Sequence, residues 1–351
     1  MQLGVIYEPS QANSFYRAVF PLQALQRRGH TVIWPQAVND VPMAKFLECD
    51  LVHCYRRTDR LADLRRLSRC GVAISFDNDD NLTALDTAVA ADGTSMESGV
   101  HVLRYNKRWF SESVKAARLA DLTTTPSELL AERYRREGAG NVLVIGNSVE
   151  PRMFGFGSRS RHEGLVIGWV AGGEHYADLE QIPVAEAIRG LLEAHPHVRL
   201  LTVGVRLPID SERYRHVLGV PFRELMKVIG GIDIGIAPLA DTPFNRCRSD
   251  IKLKEYAAGG AAWLASPVGP YRALGERQGG MLVGDDGWYA ALDTLISKPR
   301  LRKRLSRRAL AWAKAQTMDK YAETWEAAFE QAIRLARDVR TGAPAAGVWR
   351  V

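Results

Sequence analysis

Lys252 and Glu255 stand three residues apart, a spacing that sets a cation and a carboxylate on one face of a helix. Ser249 is a good N-cap for a helix from Asp250 to about Ala258, and Gly259-Gly260 would end it. A helix start offers free N–H groups and the positive end of the backbone dipole, which suits an anion. The dipole disfavours a cation there, yet Lys252 lies in the first turn. This combination suits a nucleoside diphosphate. The amides of Ser249, Asp250 and Ile251, together with Arg248 and Lys252, would hold phosphates, and Glu255 would hold sugar hydroxyls. A surface Lys–Glu pair would show the same spacing. Lys254 points about 100° away from Glu255 around the helix, so it serves as an internal control.

A second group is Asp77-Asn78-Asp79-Asp80, which follows the strand Val72 to Phe76. Three carboxylates in four residues repel one another unless a cation, an arginine or a shared proton relieves them. Such a loop at the carboxyl end of a parallel strand could orient or deprotonate a hydroxyl through Asp79 or Asp80. A metal site of the D-x-D type and a polar turn capping the next helix are the alternatives. Arg56 ends the third strand, where it would face the same ligand cleft or stand as a surface arginine. His195-Pro-His197 reads as a turn pair without a metal. The chain has no G-x-x-x-x-G-K-[ST] loop, no G-x-G-x-x-G after its first strand and no Ser/His/Asp nucleophile set.

The elements that must carry these residues alternate between strand and helix, which predicts parallel sheets covered on both faces. In the first part, strands are expected at Gln2 to Tyr7, Thr31 to Trp34, Leu51 to Cys54, Val72 to Phe76, Leu122 to Thr124 and Val142 to Ile145. Helices are expected at Phe15 to Arg28 and Arg60 to Arg69. A further helix opens at Thr125-Pro-Ser-Glu128, with proline at its first position and a capping box. Phe154 to Gly164 reads as a linker. A second set then begins with strand Leu165 to Val170, a turn at Gly172-Gly173-Glu174-His175 and a helix from Leu179 to Ala194. The segment 232 to 266 reads as strand, polar loop from Pro238 to Arg248, helix and strand. Leu301 to Ala315 is a basic helix. Tyr321, Trp325, Phe329 and Ile333 make an apolar stripe. The tail from Thr341 is expected to be disordered.

The 351 residues suffice for two cored domains. With 46% hydrophobic and 25% charged residues, the composition is that of an ordinary globular protein, and no apolar run approaches a membrane span. The start reads directly as a strand without a signal peptide. The four cysteines, Cys49, Cys54, Cys70 and Cys247, have no zinc spacing, so reduced thiols in a cytoplasmic protein are expected. A net charge of +7 favours anionic partners: nucleotide, anionic membrane or nucleic acid.

The segment Ser249-Asp-Ile-Lys-Leu-Lys-Glu-Tyr-Ala-Ala-Gly259, with Pro238, Phe244-Asn245 and Ser266-Pro-Val-Gly-Pro-Tyr271 around it, resembles the donor site of GT-B glycosyltransferases. The nearest group is the family-4-like (group 1) enzymes of bacterial surface polysaccharide synthesis. Tyr16-Arg17, Pro21-Leu22, Leu25 and Gly29-His30 resemble that family's first helix. The resemblance implies two Rossmann-like α/β domains facing a cleft, with a last helix crossing back. The expected division is 1–155 on the acceptor side, 156–318 for nucleotide-sugar binding, a helix at 319–340 and a tail at 341–351. It also implies donor binding by Gly172, Gly173, His175 and residues 248 to 252 with Glu255. Tyr16, Arg17, Arg56 and Asp77 would lie on the acceptor side, and Asp79, Asp80 and Glu255 would be catalytic. Glu255 matches the second glutamate of the family's Glu-x7-Glu motif, and Cys247 stands where the first belongs.

The implied activity is sugar transfer from a nucleoside-diphosphate sugar to an acceptor hydroxyl, without a permanently bound cofactor or a required metal. A glycan or glycolipid is the expected acceptor, with possible peripheral attachment to the inner membrane face. A modified DNA base as acceptor, and a non-catalytic nucleotide-sugar-binding module, are the alternatives.

Overall fold

Strands rich in aliphatic and β-branched residues, the central ones buried along their whole length, build two six-stranded parallel sheets in a computed structural model of the chain. It describes residues 1–9, 12–37, 40–84, 103–155 and 163–341. Most of the linker expected from Phe154 to Gly164 and nearly all of the tail lie outside those residues. Two units separate by their internal packing. One comprises Met1–Asp80, Lys107–Asn147 and Met318–Val351; the other comprises Asn81–Asn106 and Ser148–Thr317.

The first unit holds β1 (Gln2–Ile6), β2 (Thr31–Ile33), β3 (Leu51–Tyr55), β4 (Ala73–Asp77), β5 (Leu122–Thr125) and β6 (Val142–Val144), in the order β2-β1-β3-β4-β5-β6. Gly4 of β1 lies opposite both Ile33 and Val52. The chain's last helix, Met318–Thr341, packs on β3, β4, β5 and the helix Phe20–Arg27. Trp325 and Phe329 of the predicted stripe are fully buried, against the His53 ring at 5.8 and 5.2 Å, while Tyr321 is only partly covered. Arg27–Asp319 at 2.6 Å and Arg28–Glu326 at 2.7 Å edge the contact.

The second unit holds β7 (Leu165–Ala171), β8 (Val198–Gly204), β9 (Tyr214–Val217), β10 (Ile234–Ala237), β11 (Ala262–Ala265) and β12 (Gly280–Leu282), in the order β12-β11-β10-β7-β8-β9. Strand order reverses between β7 and β10. In open parallel sheets such a reversal leaves a crevice at the carboxyl ends of the strands, because the following loops turn to opposite faces.

Local structure departs from expectation in several places. The helix expected over Phe15 to Arg28 contains a π turn at Phe15–Val19 before the α-helix Phe20–Arg27. Tyr16 to Val19 are all buried there. Pro183 divides the expected helix Leu179 to Ala194 into Tyr176–Leu179 and Val184–Ala194. Pro126 stands ahead of the cap: Ser127 is the N-cap residue of Glu128–Arg136, and its side chain makes no capping bond. The loop expected from Pro238 contains a short helix, Pro243–Arg246, where the Thr242 hydroxyl accepts from Asn245 N at 3.2 Å. The helix Leu103–Leu119 was not expected from the sequence.

Candidate functional site

The reversal between β7 and β10 gathers the residues expected to bind a donor. After β7 the chain turns through Gly172 into a 3-10 turn at Gly173–His175. A Cβ at Gly172 would collide with the Glu174 carboxylate, so glycine lets that side chain fold back over the turn. Glu174 Oε1 accepts from Arg248 at 3.1 Å. Burial alone would raise its carboxyl, but the Arg248 guanidinium and His175 outweigh burial and hold it down to about 2. His175 Nδ1 meets Asp178 Oδ2 at 2.7 Å. The other Asp178 oxygen accepts from Ala240 N at 2.9 Å and Asn245 Nδ2 at 2.7 Å. One buried carboxylate therefore ties the turn after β7 to the loop after β10.

The helix begins one residue later than the sequence suggests. Asp250 is the N-cap residue of Ile251–Ala258, and the Ser249 hydroxyl lies 3.5 Å from Ile251 N. Lys252 Nζ meets Glu255 Oε2 at 2.8 Å, so the predicted pair does share a face. Glu255 is buried, while the Lys252 side chain keeps 22% exposure. Lys254, the internal control, is buried with its ammonium 2.8 Å from Asp250. Arg248–Glu174, Lys252–Glu255 and Lys254–Asp250 each pair a cation with a carboxylate. An anion at this helix start would meet the first-turn amides together with cations that already have carboxylate partners.

At the carboxyl ends of β3 and β4 the acidic loop divides in two. Asp77 is fully buried and accepts from Arg17 Nη2 at 2.6 Å, from Arg17 Nε at 3.0 Å and from the Thr124 hydroxyl at 2.5 Å. Arg17 also reaches Asn147 Oδ1 at 2.9 Å and lies 5.1 Å from the Trp325 ring centre. Tyr16, Arg17 and Asp77, expected on the acceptor side, are therefore buried, with the Asp77 charge taken up by Arg17. The π turn aims Arg17 inward, and its guanidinium supplies the cation that a lone Asp77 would lack.

Asp79 and Asp80 are arranged differently. Arg56 Nη1 donates to Asp80 at 3.1 Å and lies 3.4 Å from Asp79, whose Oδ1 also accepts from the Tyr55 hydroxyl at 2.7 Å. Burial first and Asp80 second push the Asp79 carboxyl up to about 6, against the opposing pull of Arg56 and Tyr55. Arg56 has φ 58°, the only positive φ of a non-glycine residue among the described residues. Such strain persists only where surrounding contacts fix it. Here the guanidinium is held 5.0 Å from the Trp109 ring centre and against both carboxylates. Among the described residues, no group of three or more His, Cys, Asp or Glu side chains is placed to hold a metal ion. Sequence reasoning missed Tyr55, Trp109 and Glu174. Only Glu174, an acid beside a glycine pair, carried a local signal.

Cys247, at the place of the first motif glutamate, is buried with its Sγ 3.7 Å from Asn81 Nδ2.

No family model and no curated protein matches the chain. Solved structures match its architecture. Sucrose-phosphate synthase from Thermosynechococcus elongatus aligns at TM-score 0.60 over 97% of this chain and 100% of its own, with 15% identity. Anabaena HepE, solved with UDP-glucose, aligns at 0.61 over 94% and 99%, with 14% identity. A Listeria monocytogenes protein described as a UDP-N-acetylglucosamine 2-epimerase aligns at 0.56 over 97% and 96%, with 12% identity. The chain has the GT-B fold. At these identities the likeness is one of fold, and that fold is shared by proteins named for different chemistry.

Proposed function

We propose that this protein is a glycosyltransferase that moves a sugar from a nucleoside-diphosphate sugar to an acceptor hydroxyl, in polysaccharide or glycolipid assembly. One observation carries the reading. A glycine turn, a helix start and the Lys252–Glu255 pair converge at the one edge where a sheet of this order leaves a crevice. Fold neighbours solved with UDP and with UDP-glucose support the choice of donor class.

In this reading the first-turn amides of Ile251–Ala258 and Lys252 bind the diphosphate, with Arg248 beside them. Gly172, Gly173 and His175 line the facing turn. The bond from the sugar's anomeric carbon to the phosphate oxygen breaks, and its electron pair leaves on the diphosphate. The same amides and cations stabilise that charge. Glu255 holds donor hydroxyls and orients Lys252. On the acceptor side, Asp79 accepts the hydroxyl proton with Arg56 and Asp80 around it, and Arg17–Asp77 stiffens the loop from within. Residues 1–155 serve the acceptor, 156–318 the donor. The acceptor is a glycan or glycolipid. The exposed Lys303 and Arg307 of the helix Pro299–Ala315 favour loose attachment to anionic membrane. No described helix is long and apolar enough to cross one.

Calorimetry with UDP-, GDP-, dTDP- and CDP-sugars, followed by assay of released nucleoside diphosphate, tests the proposal. Binding with release and transfer supports it. Binding without release points to a module that kept the site and lost turnover. Conversion of a bound donor to its epimer would place the protein with the epimerases of this fold.

A further inference from the structure

The sheet of the second unit comes apart soon after it forms between β7 and β10. The strands pair in register at Ile167 with Ile234 and at Gly168 with Gly235, and the pairing ends there although both strands continue. A parallel ladder continued in that register would next join the Val170 N–H to the Ile236 carbonyl. Instead the Tyr256 hydroxyl stands between them. It accepts from Val170 N at 3.0 Å and donates to Ile236 O at 2.9 Å. The ring is fully buried and lies across Gly235, where a Cβ would overlap Tyr256 Cγ. A phenylalanine would fill the same volume, so packing alone does not call for the hydroxyl.

We infer that Tyr256 is a positioning residue whose hydroxyl acts as a spacer in the β7–β10 ladder, holding the strand ends apart so that the crevice beyond them admits a nucleoside diphosphate. The inference rests on the donor-site reading above. It differs in locating the cause of the crevice, which strand order permits but does not size. The spacer sets the floor of the crevice. Asp178, bonded to Ala240 N and Asn245 Nδ2, ties its rim. Burial raises the phenol further above its ordinary range, so the hydroxyl keeps the proton that it donates to Ile236. Tyr256 sits one residue after Glu255 in the helix whose start meets the phosphates. One helix therefore both opens the crevice and lines it.

Tyr256→Phe tests this. Without the hydroxyl, Val170 N–H and Ile236 C=O become each other's nearest partners and close the missing rung. The Val170 amide should then stay protected from hydrogen exchange in the ligand-free variant. The melting temperature should remain within about 4 °C of wild type. Affinity for the tightest-binding of UDP, GDP, dTDP and CDP, measured by calorimetry, should fall about tenfold or more. Faster exchange at Val170, or a much lower melting temperature with unchanged nucleotide affinity, would make Tyr256 an ordinary buried tyrosine and overturn the inference. Gly235→Ala is the second variant. It pushes the ring, and with it the hydroxyl, out from between the strands without removing the phenol, and it should also weaken nucleotide binding; unchanged affinity there counts against the spacer. If the wild-type protein binds none of the four nucleotides, the donor-site reading fails, and exchange at Val170 still decides whether the hydroxyl spaces the strands.

Discussion

At the end of β4, the Arg17 guanidinium and the Asp77 carboxylate meet at 2.6 Å with neither side chain exposed. At the start of Ile251–Ala258, Lys252 and Glu255 meet at 2.8 Å, and the lysine still reaches solvent. Both pairs lie at the carboxyl edge of a parallel sheet. The first has surrendered its hydration and is locked by further bonds to Thr124, Ile145 and Asn147. Separating it would leave charge in a low-dielectric interior. In the second, the carboxylate is buried and only the lysine keeps contact with water. A charge pair at a sheet edge is thus not a site by position alone. In the proposed reading, residual access of the cation separates a binding group from a structural one. The Asp79–Arg56–Asp80 group lies between these extremes, with both Arg56 and Asp80 partly exposed.

The largest expected effect tests the locked pair. Asp77→Ala strands Arg17 without its main partner and should cost about 3–5 kcal/mol in denaturant unfolding. A loss below about 1 kcal/mol would mean that the pair is not a structural lock. Next comes Asp79→Asn. Transfer should fall by at least about 10²-fold, with nucleotide affinity near wild type. In the unmutated protein, the proposed transfer should rise as pH passes through about 6, where Asp79 loses its proton. The stability sign is opposite. The folded value lies above the ordinary 3.8, so the contribution of Asp79 to stability is full below about 3.8 and lost as pH climbs through about 6. Asp79→Asn should therefore gain more in thermal melts at pH 7.5 than at pH 5. Flat transfer from pH 5 to 7, or loss of activity to EDTA with recovery in Mn²⁺, would remove Asp79 from the role of base.

The sequence made the strand–helix alternation, the last helix and the Lys252–Glu255 face legible, because each depends on local period or spacing. Trp325, Phe329 and Ile333 could be read as a buried stripe from their four-residue recurrence alone. The inward turn of Arg17 could not, because a π turn has no distinct residue pattern and its cause, Asp77, lies 60 residues away. Nor could the role of Tyr256, which needs the register of two strands separated by β8 and β9 in the chain. The burial of Lys254 was not legible for a related reason. Its angle around the helix was right, but what covers that face is tertiary.

Lys252→Ala sharpens the other side of the comparison. Loss of a charge-assisted contact to the diphosphate, worth roughly 1.5–3 kcal/mol, corresponds to about 10- to 150-fold weaker nucleotide affinity. Unfolding stability should fall as well, by about 1–3 kcal/mol, because the buried Glu255 carboxylate loses the ammonium that pairs with it. Glu255→Gln should lower donor affinity, turnover or both. Wild-type behaviour in both variants would move the donor site away from this helix.

The smallest effect belongs to Lys254, two residues from Lys252 and paired to the cap residue Asp250 at 2.8 Å. Lys254→Ala removes a buried ammonium together with its partner's bond. The freed Asp250 carboxylate is not stranded: it is partly exposed and sits at the positive end of the helix dipole, which favours a negative charge. The expected loss is therefore about 1 kcal/mol, below that of a fully enclosed pair. Nucleotide affinity should stay within about twofold, since an ammonium held by Asp250 is not free to meet a phosphate. The two lysines should then separate by affinity, which Lys252→Ala lowers and Lys254→Ala leaves near wild type. Calorimetry and denaturant melts on the same two preparations decide the matter. If Lys254→Ala weakens nucleotide binding as much as Lys252→Ala, the helix start acts through its summed charge, and access of the individual cation is not what makes the site.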